Sequence, residues 1–504
     1  MKFYIKITGS IETGFRFWKG SHWLYKLTQA VICLFVLLVI FLSIQKIFWE
    51  DTKRFFPYFF ICLAVAGGCA ALALLPWPRH TGICLFMIAL LLRCAMLMWY
   101  PIAPASDFKL QLDLAMEFSY ADPFDWPQMM AESNNMFYQN WCVHAPFLLL
   151  EMVVLKLCGH NPAGLQLVFS ICSAASCVVT CQIAQQLFGR RAGIAAGLLM
   201  AIQPTVLFFM PVLSNQHAAT LFFLLAVYMA AARPIGNSNA SRLSPWQSTA
   251  INILLTGFFS GLSQLLRPEM AVFHLVLLAY WLIYLPIAAK AAHSRIWPVI
   301  WQGVLHLLVY LCAFYILVGS VNIILQKTQF INGSILEGNL KYKIMVGLNP
   351  EAGGLWNVPD SEVSDPEEME QLIRERLSNP LQTASLMVKK LGIQFGTYNY
   401  SWAIGSQRGW LTDKFFPSIT QSFMLVILTL AALSALLILR KSSPPQVLPF
   451  IVLCGFFAAF AIIEIQDRYN YLLIPIFIIL AVQPLAEGYR QIVRIRQKRP
   501  IQQK

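Results

Sequence analysis

Charge is what this sequence has least of. Of 504 residues only 12% are Asp, Glu, Lys or Arg, while 58% are hydrophobic. A soluble globular chain carries about 25% charged and about 45–50% apolar residues. There is too little polar surface here to coat a water-soluble globule, so most of the chain must face lipid or other buried helices. Paired cysteines are lacking as well. The 12 Cys are scattered, several inside apolar runs (Cys33, Cys62, Cys84, Cys94, Cys312, Cys454), and no two have zinc or redox spacing. A disulfide framework would gather in the polar loops, where only Cys142 occurs, so the thiols read as small packing residues. No Walker A or GxGxxG pattern stands in a strand–helix context. An ATP-driven pump and an enzyme using a cytoplasmic nucleotide-activated donor are thereby disfavoured.

Long apolar runs are what the chain has in abundance, with a mean hydropathy of +0.61. A span needs about 20 predominantly apolar residues. That criterion predicts twelve membrane helices, at roughly 27–47, 55–76, 81–100, 163–187, 191–209, 214–232, 249–266, 269–289, 297–325, 418–439, 447–464 and 469–487. Residues 145–158 are too short to span and read as interfacial. Pro204, Pro211 and Pro268 mark tight turns beside which helices are expected to be short or broken. The expected fold class is an all-α polytopic membrane protein with a small mixed α/β extracytoplasmic subdomain.

Sidedness follows from the basic residues. With both termini cytoplasmic, the cytoplasmic segments hold twenty of the 37 Lys and Arg but only Glu12 and Glu487 among the 24 acids. The first apolar run is too long for a cleavable signal and lacks a small-residue cleavage site. The aromatic, basic start (Phe15, Arg16, Phe17, Trp18, Lys19) reads as interfacial, and the tail 488–504 as a basic membrane-surface stretch. The net charge of +13 is therefore a topology signal and an attraction to anionic lipid, with no nucleic-acid partner implied. The organisation expected is an N-terminal membrane region 1–325, an extracytoplasmic segment 326–417, C-terminal membrane helices 418–487 and the tail.

Every cytoplasmic loop is short, whereas two outer loops, about 101–145 and 326–417, are large. Long ordered loops are usually functional. In the first, residues 107–120 have helical periodicity, with Ser106 as the expected N-cap and Asp107 in the first turn. In the second, residues 341–357 read as a strand and a Gly-rich turn, followed by helices at about 365–378 and 380–395. Charges at the membrane edge carry more information than solvated ones. They are Arg93 in the third helix, Arg267 and Glu269 at one turn, and Glu464, Asp467 and Arg468 at another. All but Arg93 fall level with the Asp107 loop.

Five stretches in this order carry a resemblance: Pro104-Ala-Ser-Asp107-Phe; His144-Ala-Pro146 leading to Cys158-Gly-His-Asn-Pro; Gln186-Leu-Phe-Gly-Arg190; Gly261-Leu-Ser-Gln-Leu-Leu-Arg267-Pro-Glu269; and Gln466-Asp-Arg468-Tyr469. The pattern resembles the GT-C superfamily of membrane glycosyltransferases, within it the protein O-mannosyltransferase and aminoarabinose-transferase-like group. The resemblance implies a sugar donor on a polyprenyl phosphate in the outer leaflet, an extracytoplasmic acceptor (lipid, glycan or protein), and Asp107 at the catalytic position. Many members of the group have Asp-Glu there; this chain has Asp107-Phe108. It implies no obligatory metal and no cofactor, although the acid-rich first loop would admit a divalent cation. A plasma membrane of bacterial type is the expected location.

The residues suit that chemistry on their own terms. A base is needed beside the acceptor hydroxyl, which a carboxylate supplies, and the sugar becomes oxocarbenium-like as it transfers. The leaving phosphate gains negative charge that an Arg can stabilise. Arg468 and Arg267 are the candidates for the phosphate, followed by Lys109 and Tyr469. His144, Glu269 and Arg93 are candidates for further substrate contacts. The rival readings are a twelve-helix secondary transporter, a cell-surface polysaccharide polymerase or ligase, and a non-catalytic scaffold. A transporter would have two similar halves and functional charges near mid-membrane. No repeat relates 27–232 to 249–487.

Overall fold

The computed structural model describes residues 22–100, 104–133, 141–231, 245–397, 411–440 and 442–498. The interfacial start expected at Phe15–Lys19 and the last residues of the basic tail lie outside these. Helices account for nearly all of the regular structure, and no strand occurs among the described residues.

Nine described helices are long and apolar enough to cross a membrane: Trp23–Trp49, Thr81–Trp99, Pro162–Phe188, Gln247–Leu266, Met270–Ala291, Ile296–Lys327, Asp413–Arg440, Pro444–Ile462 and Asp467–Gln491. A tenth is formed if Arg190–Ala201 and Pro204–Val212, bent by 42° at their junction, are one span. The bend falls beside Pro204, which lacks the N–H that would continue the ladder. The two remaining expected spans are shorter apolar helices, Tyr58–Leu72 and Gln216–Ala231. Helical backbone runs from His22 to Leu72, and within it Trp23–Trp49 and Tyr58–Leu72 are two separate apolar helices, as the sequence leads one to expect.

Side-chain chemistry sets many helix starts. Asn161, Gln203, Asp365 and Asn379 each accept a hydrogen bond from a backbone N–H of the first turn, and each precedes a proline at the first helical position. Ser443 and Gln446 form a capping box. Gly189, at φ +103°, lets the chain reverse between Pro162–Phe188 and Arg190–Ala201.

The last helix is the bundle's centre. Asp467–Gln491 is mostly buried, whereas Thr81–Trp99 and Ile296–Lys327 are largely exposed and peripheral. A helix that is apolar all round is buried all round, as Ile474–Val482 illustrates.

The bundle has two chemically different ends. At one, Arg190 donates to the carbonyls of Trp77 and Pro78 (both 2.9 Å), Arg490 to Phe188 O (3.0 Å), and Lys26 to Leu439 O (3.0 Å). At the other, Tyr100 packs on Phe416 and Tyr58 on Phe415. The charged turns around Arg267 and Arg468 lie at this second end, since the helices at Thr81, Phe416 and Ile474 each run from one end to the other.

The second large loop differs from expectation. Residues Leu340–Gly347 form a helix, not a strand, and are followed by turns and the short helix Val358–Glu362. Packing explains the change: Met345 and Val346 are buried in a small apolar cluster with Met369, which a period of two would not bring to one side. The helices expected beyond it are present as Pro366–Leu377 and Pro380–Gly396. Buried Asp360 joins them through Arg376 (2.7 Å) and Asn349 (2.9 Å). Burial raises the Asp360 carboxyl, but those hydrogen bonds outweigh it and hold the group below the usual carboxylate range.

Candidate active site

Four chain-distant segments and one histidine meet at the second end of the bundle. Asp107 stands in the first turn of Ser106–Ser119. The N-cap of that helix is Ala105, and Ser106 is its first residue, in the left-handed region at φ +52° with its hydroxyl 3.2 Å from Asp107 Oδ1. A non-glycine residue held there is strained, and the strain lies immediately before the carboxylate.

Arg468, on the 3₁₀ turn Asp467–Leu473, donates through Nη2 to Asp107 Oδ2 at 3.1 Å. Its Nε donates to Gln466 Oε1 (2.7 Å), and Gln466 Nε2 donates to Glu464 Oε1 (2.6 Å). Its backbone carbonyl accepts from Gln216 Nε2 (2.8 Å). The turn is braced from behind. Tyr471 hydroxyl lies 2.7 Å from His217 Nδ1, and Gln394 donates to Asn470 Oδ1 (2.7 Å) and Gln466 O (2.8 Å).

Arg267 ends the helix Pro245–Leu266 and pairs with Glu269 at 2.6 Å. The second carboxylate oxygen of Glu269 is buried with no hydrogen-bond partner among the described residues. Glu464 is fully buried and paired with Lys343. Stranding a buried carboxylate would cost several kcal/mol, so this pair is obligatory for the turn. Lys343 Nζ also donates to the Tyr469 hydroxyl at 2.9 Å. Burial opposes the Lys343 ammonium, but Tyr469 and Glu464 outweigh it and hold it above the ordinary lysine range.

Tyr469 is the hub. Arg267 Cζ lies 5.1 Å, Lys343 Nζ 5.6 Å and Arg468 Cζ 6.0 Å from its ring centroid. Arg468 also lies 5.3 Å from the ring of Phe108. Aromatic faces attract cations, and each cation has its own acid: Arg267 with Glu269, Lys343 with Glu464, Arg468 with Asp107. Three cations are thus held together without mutual repulsion dominating.

His144 feels the whole cluster. Burial first, then the charges of Arg267, Lys343 and Arg468, push its imidazolium down to about 4, against the pull of Asp107. It is neutral at pH 7 and can accept a proton or a hydrogen bond.

Of the residues expected from sequence, the structure brings together Asp107, Arg468, Arg267, Tyr469, Glu269 and His144. It sets two apart. Lys109 pairs with Asp113 on the exposed face of its own helix. Arg93 is wholly buried among helices, donating to Ser173 Oγ (2.8 Å), Ala89 O (2.9 Å), Ala201 O (3.4 Å) and Cys177 Sγ (3.2 Å). Lys343 and the Gln466–Glu464 chain were not foreseen as site residues. In the sequence Glu464 stands out as a membrane-edge charge and Gln466 as part of the fifth stretch, whereas Lys343 lies in a segment that reads as a strand and a Gly-rich turn. No group of three or more His, Cys, Asp or Glu that could hold a metal occurs among the described residues, so the acid-rich loop expected to admit a cation brings no such cluster together there.

No family model and no curated protein matches this chain. Among solved structures it is similar to the Archaeoglobus fulgidus oligosaccharyltransferase in its apo form, with a TM-score of 0.46 and 12% identity over 83% of this chain and 52% of that one. The same enzyme tethered to an acceptor peptide gives a TM-score of 0.45 and 14% identity over 84% and 51%. Its complex with an inhibitory peptide and a dolichol-phosphate gives 0.42 and 12% over 84% and 52%. The chain spans about half the length of these structures.

Proposed function

We propose that this chain is a membrane glycosyltransferase of the GT-C type. It moves a sugar from a polyprenyl-phosphate-linked donor to an acceptor hydroxyl on the extracytoplasmic side. The observation that carries the reading is the Asp107–Arg468 contact at 3.1 Å beside a ring flanked by three cations. It joins a base and an anion-binding group at one end of an apolar bundle, opposite the end rich in arginine carbonyl contacts. That arrangement suits a substrate whose tail lies in lipid and whose phosphate lies at the surface.

In this reading the acceptor oxygen bonds to the anomeric carbon as the bond from that carbon to the phosphate oxygen breaks. Asp107 takes the acceptor's proton. Arg468 and Arg267 receive the growing charge on the leaving polyprenyl phosphate. Phosphate leaves readily, so no strong general acid is required. No cofactor takes part. His144, neutral and facing the same groups, orients the acceptor by hydrogen bonding, and Glu269 holds Arg267 in place. Both termini lie on the cytoplasmic side, as the basic bias implies, in a plasma membrane of bacterial type. The acceptor is a lipid, glycan or protein, and the mannosyl- or aminoarabinosyl-type sugar of the resembled group is the first to try.

The test is Asp107→Asn in proteoliposomes supplied with a panel of polyprenyl-phosphate sugars. Transfer should fall by about 100-fold or more while the protein inserts and unfolds as the wild type does. Full transfer by that variant would remove Asp107 from the mechanism, and counterflow of a soluble solute without transfer would favour the transporter.

A further inference from the structure

The second large loop is bonded into the site through its backbone. Glu464 N donates to Lys343 O (2.7 Å) and Ile465 N to Gly354 O (3.0 Å). Gly347 has no room for a side chain, since a Cβ there would lie 2.2 Å from the Ile463 carbonyl carbon. Lys390, fully buried, donates to Gly347 O (2.7 Å), Ala461 O (3.0 Å) and Ile463 O (2.7 Å). Residues 343–354 and 461–465 are therefore bonded into one body, which carries Lys343 and leads directly into the turn that bears Arg468.

Within it, two hydrogen-bond donors are left over. An ammonium has three N–H groups. Lys343 uses one on Glu464 and one on the Tyr469 hydroxyl, and a third partner is absent among the described residues. Tyr469 oxygen accepts from Lys343, so its own proton points elsewhere, and it too meets no acceptor among the described residues. A purely structural pair needs Lys343 only to neutralise Glu464. That role explains neither the 35% exposure of the lysine side chain over a carboxylate of 0% exposure, nor a spare N–H beside a spare O–H. Both donors flank the ring that Arg267 and Arg468 also flank.

We infer that Lys343 and Tyr469 together bind the donor's phosphate, Lys343 as its third cationic ligand, so that the second large loop is part of the donor site. The inference rests on the glycosyl-transfer reading and extends the donor site to the second large loop. Lys343 contributes a charge-assisted hydrogen bond, Tyr469 a neutral one, and Glu464 keeps the lysine in position when the site is empty.

The test measures binding of undecaprenyl phosphate, with no sugar and no acceptor, to the full chain in phosphatidylcholine nanodiscs. The double variant Lys343→Met/Glu464→Gln removes both charges without stranding either, so the fold should survive, as thermal unfolding would verify. Its affinity should fall about tenfold or more, the worth of one charge-assisted hydrogen bond, while Lys343→Arg stays within about threefold of wild type. Tyr469→Phe should weaken binding by a smaller factor. Phosphatidylglycerol offered in place of undecaprenyl phosphate should show no dependence on Lys343; equal dependence would mean a general lipid headgroup site and overturn the donor assignment. Unchanged undecaprenyl phosphate affinity in the double variant, with Arg468→Ala weakened, overturns the role of Lys343 alone. A wild-type chain with no affinity for the lipid phosphate overturns this inference and the glycosyl-transfer reading together.

Discussion

Arg468 and Asp107 are 361 residues apart in the chain, yet their side chains meet at 3.1 Å, the arginine 15% and the aspartate 52% exposed. The asymmetry fits their proposed roles. Arg468 is anchored, its Nε on Gln466 and its carbonyl on Gln216, whereas the carboxylate stands out toward solvent. A base that must meet an incoming hydroxyl belongs on the exposed side of such a pair, and a phosphate ligand on the anchored side.

Replacing Arg468 by Lys keeps the charge but loses the fork that bonds Gln466 and Asp107 at once. The variant should lose about 100-fold in turnover, comparable to removing one transition-state donor elsewhere, with a smaller change in KM. Steady-state transfer assays over a range of donor concentrations separate the two. An unchanged turnover number would show that the fork geometry is irrelevant.

Gly347→Ala tests how the loop is seated. The added methyl would meet the Ile463 carbonyl carbon at 2.2 Å and Ile462 O at 2.4 Å. These are backbone atoms that no rotamer change can move aside. The variant should lose roughly 1–3 kcal/mol of stability, read as an earlier unfolding transition in detergent. Gly338→Ala, with nothing within 4 Å of the new atom, is the matched control and should unfold like the wild type. Equal behaviour of the two would mean the loop is not seated as described.

His144 gives a pH signature with a definite sign. Its folded value, about 4, lies below the 6.5 of a free imidazole. Between these two values the unfolded chain binds more protons than the folded one, so stability rises with pH across the window. The contribution is complete above about 6.5, is lost as pH falls toward 4, and falls no further below that. The shift corresponds to roughly 1–3 kcal/mol after allowance for solvent screening. His144→Gln should flatten the slope of unfolding midpoint against pH between 4 and 6.5; an unaltered slope would assign it to other groups.

Arg93 should behave as a packing residue. All four of its partners are neutral, and they tie its helix to Pro162–Phe188 and to Ala201. Arg93→Met leaves no charge to bury, and such replacements are often neutral or stabilising. Undecaprenyl phosphate affinity in that variant should stay within about twofold of wild type, because separated positions act independently. A loss as large as that of Arg468→Ala would place Arg93 in the site after all.

Much of the site was legible because membrane-edge charges are few and costly. Asp107, Arg267, Glu269, Arg468 and Tyr469 were each identifiable as a residue with no reason to stand where it does unless it had a partner. Lys343 escaped because its loop is polar, where a lysine is unremarkable, and because Leu340–Gly347 alternates in a way that mimics a strand. Lys109 and Arg93 are set apart for the converse reason: the direction a side chain faces, toward Asp113 for Lys109 and into the helix packing for Arg93, is not written in the sequence.

The sequence by itself determined that this chain is a bundle of apolar helices, and that one set of its short loops and termini carries twenty of the 37 bases but only two of the 24 acids. Both follow from transfer free energies, which depend on composition and order and need no knowledge of contacts. Only the tertiary structure decided which charges share a site. Tyr469 collects Arg267, Lys343 and Arg468 from three segments separated by up to about two hundred residues, and no periodicity encodes that meeting. Helix packing brings the segments together, and the buried carboxylate of Glu464, which must find a cation, selects Lys343 from the loop above it.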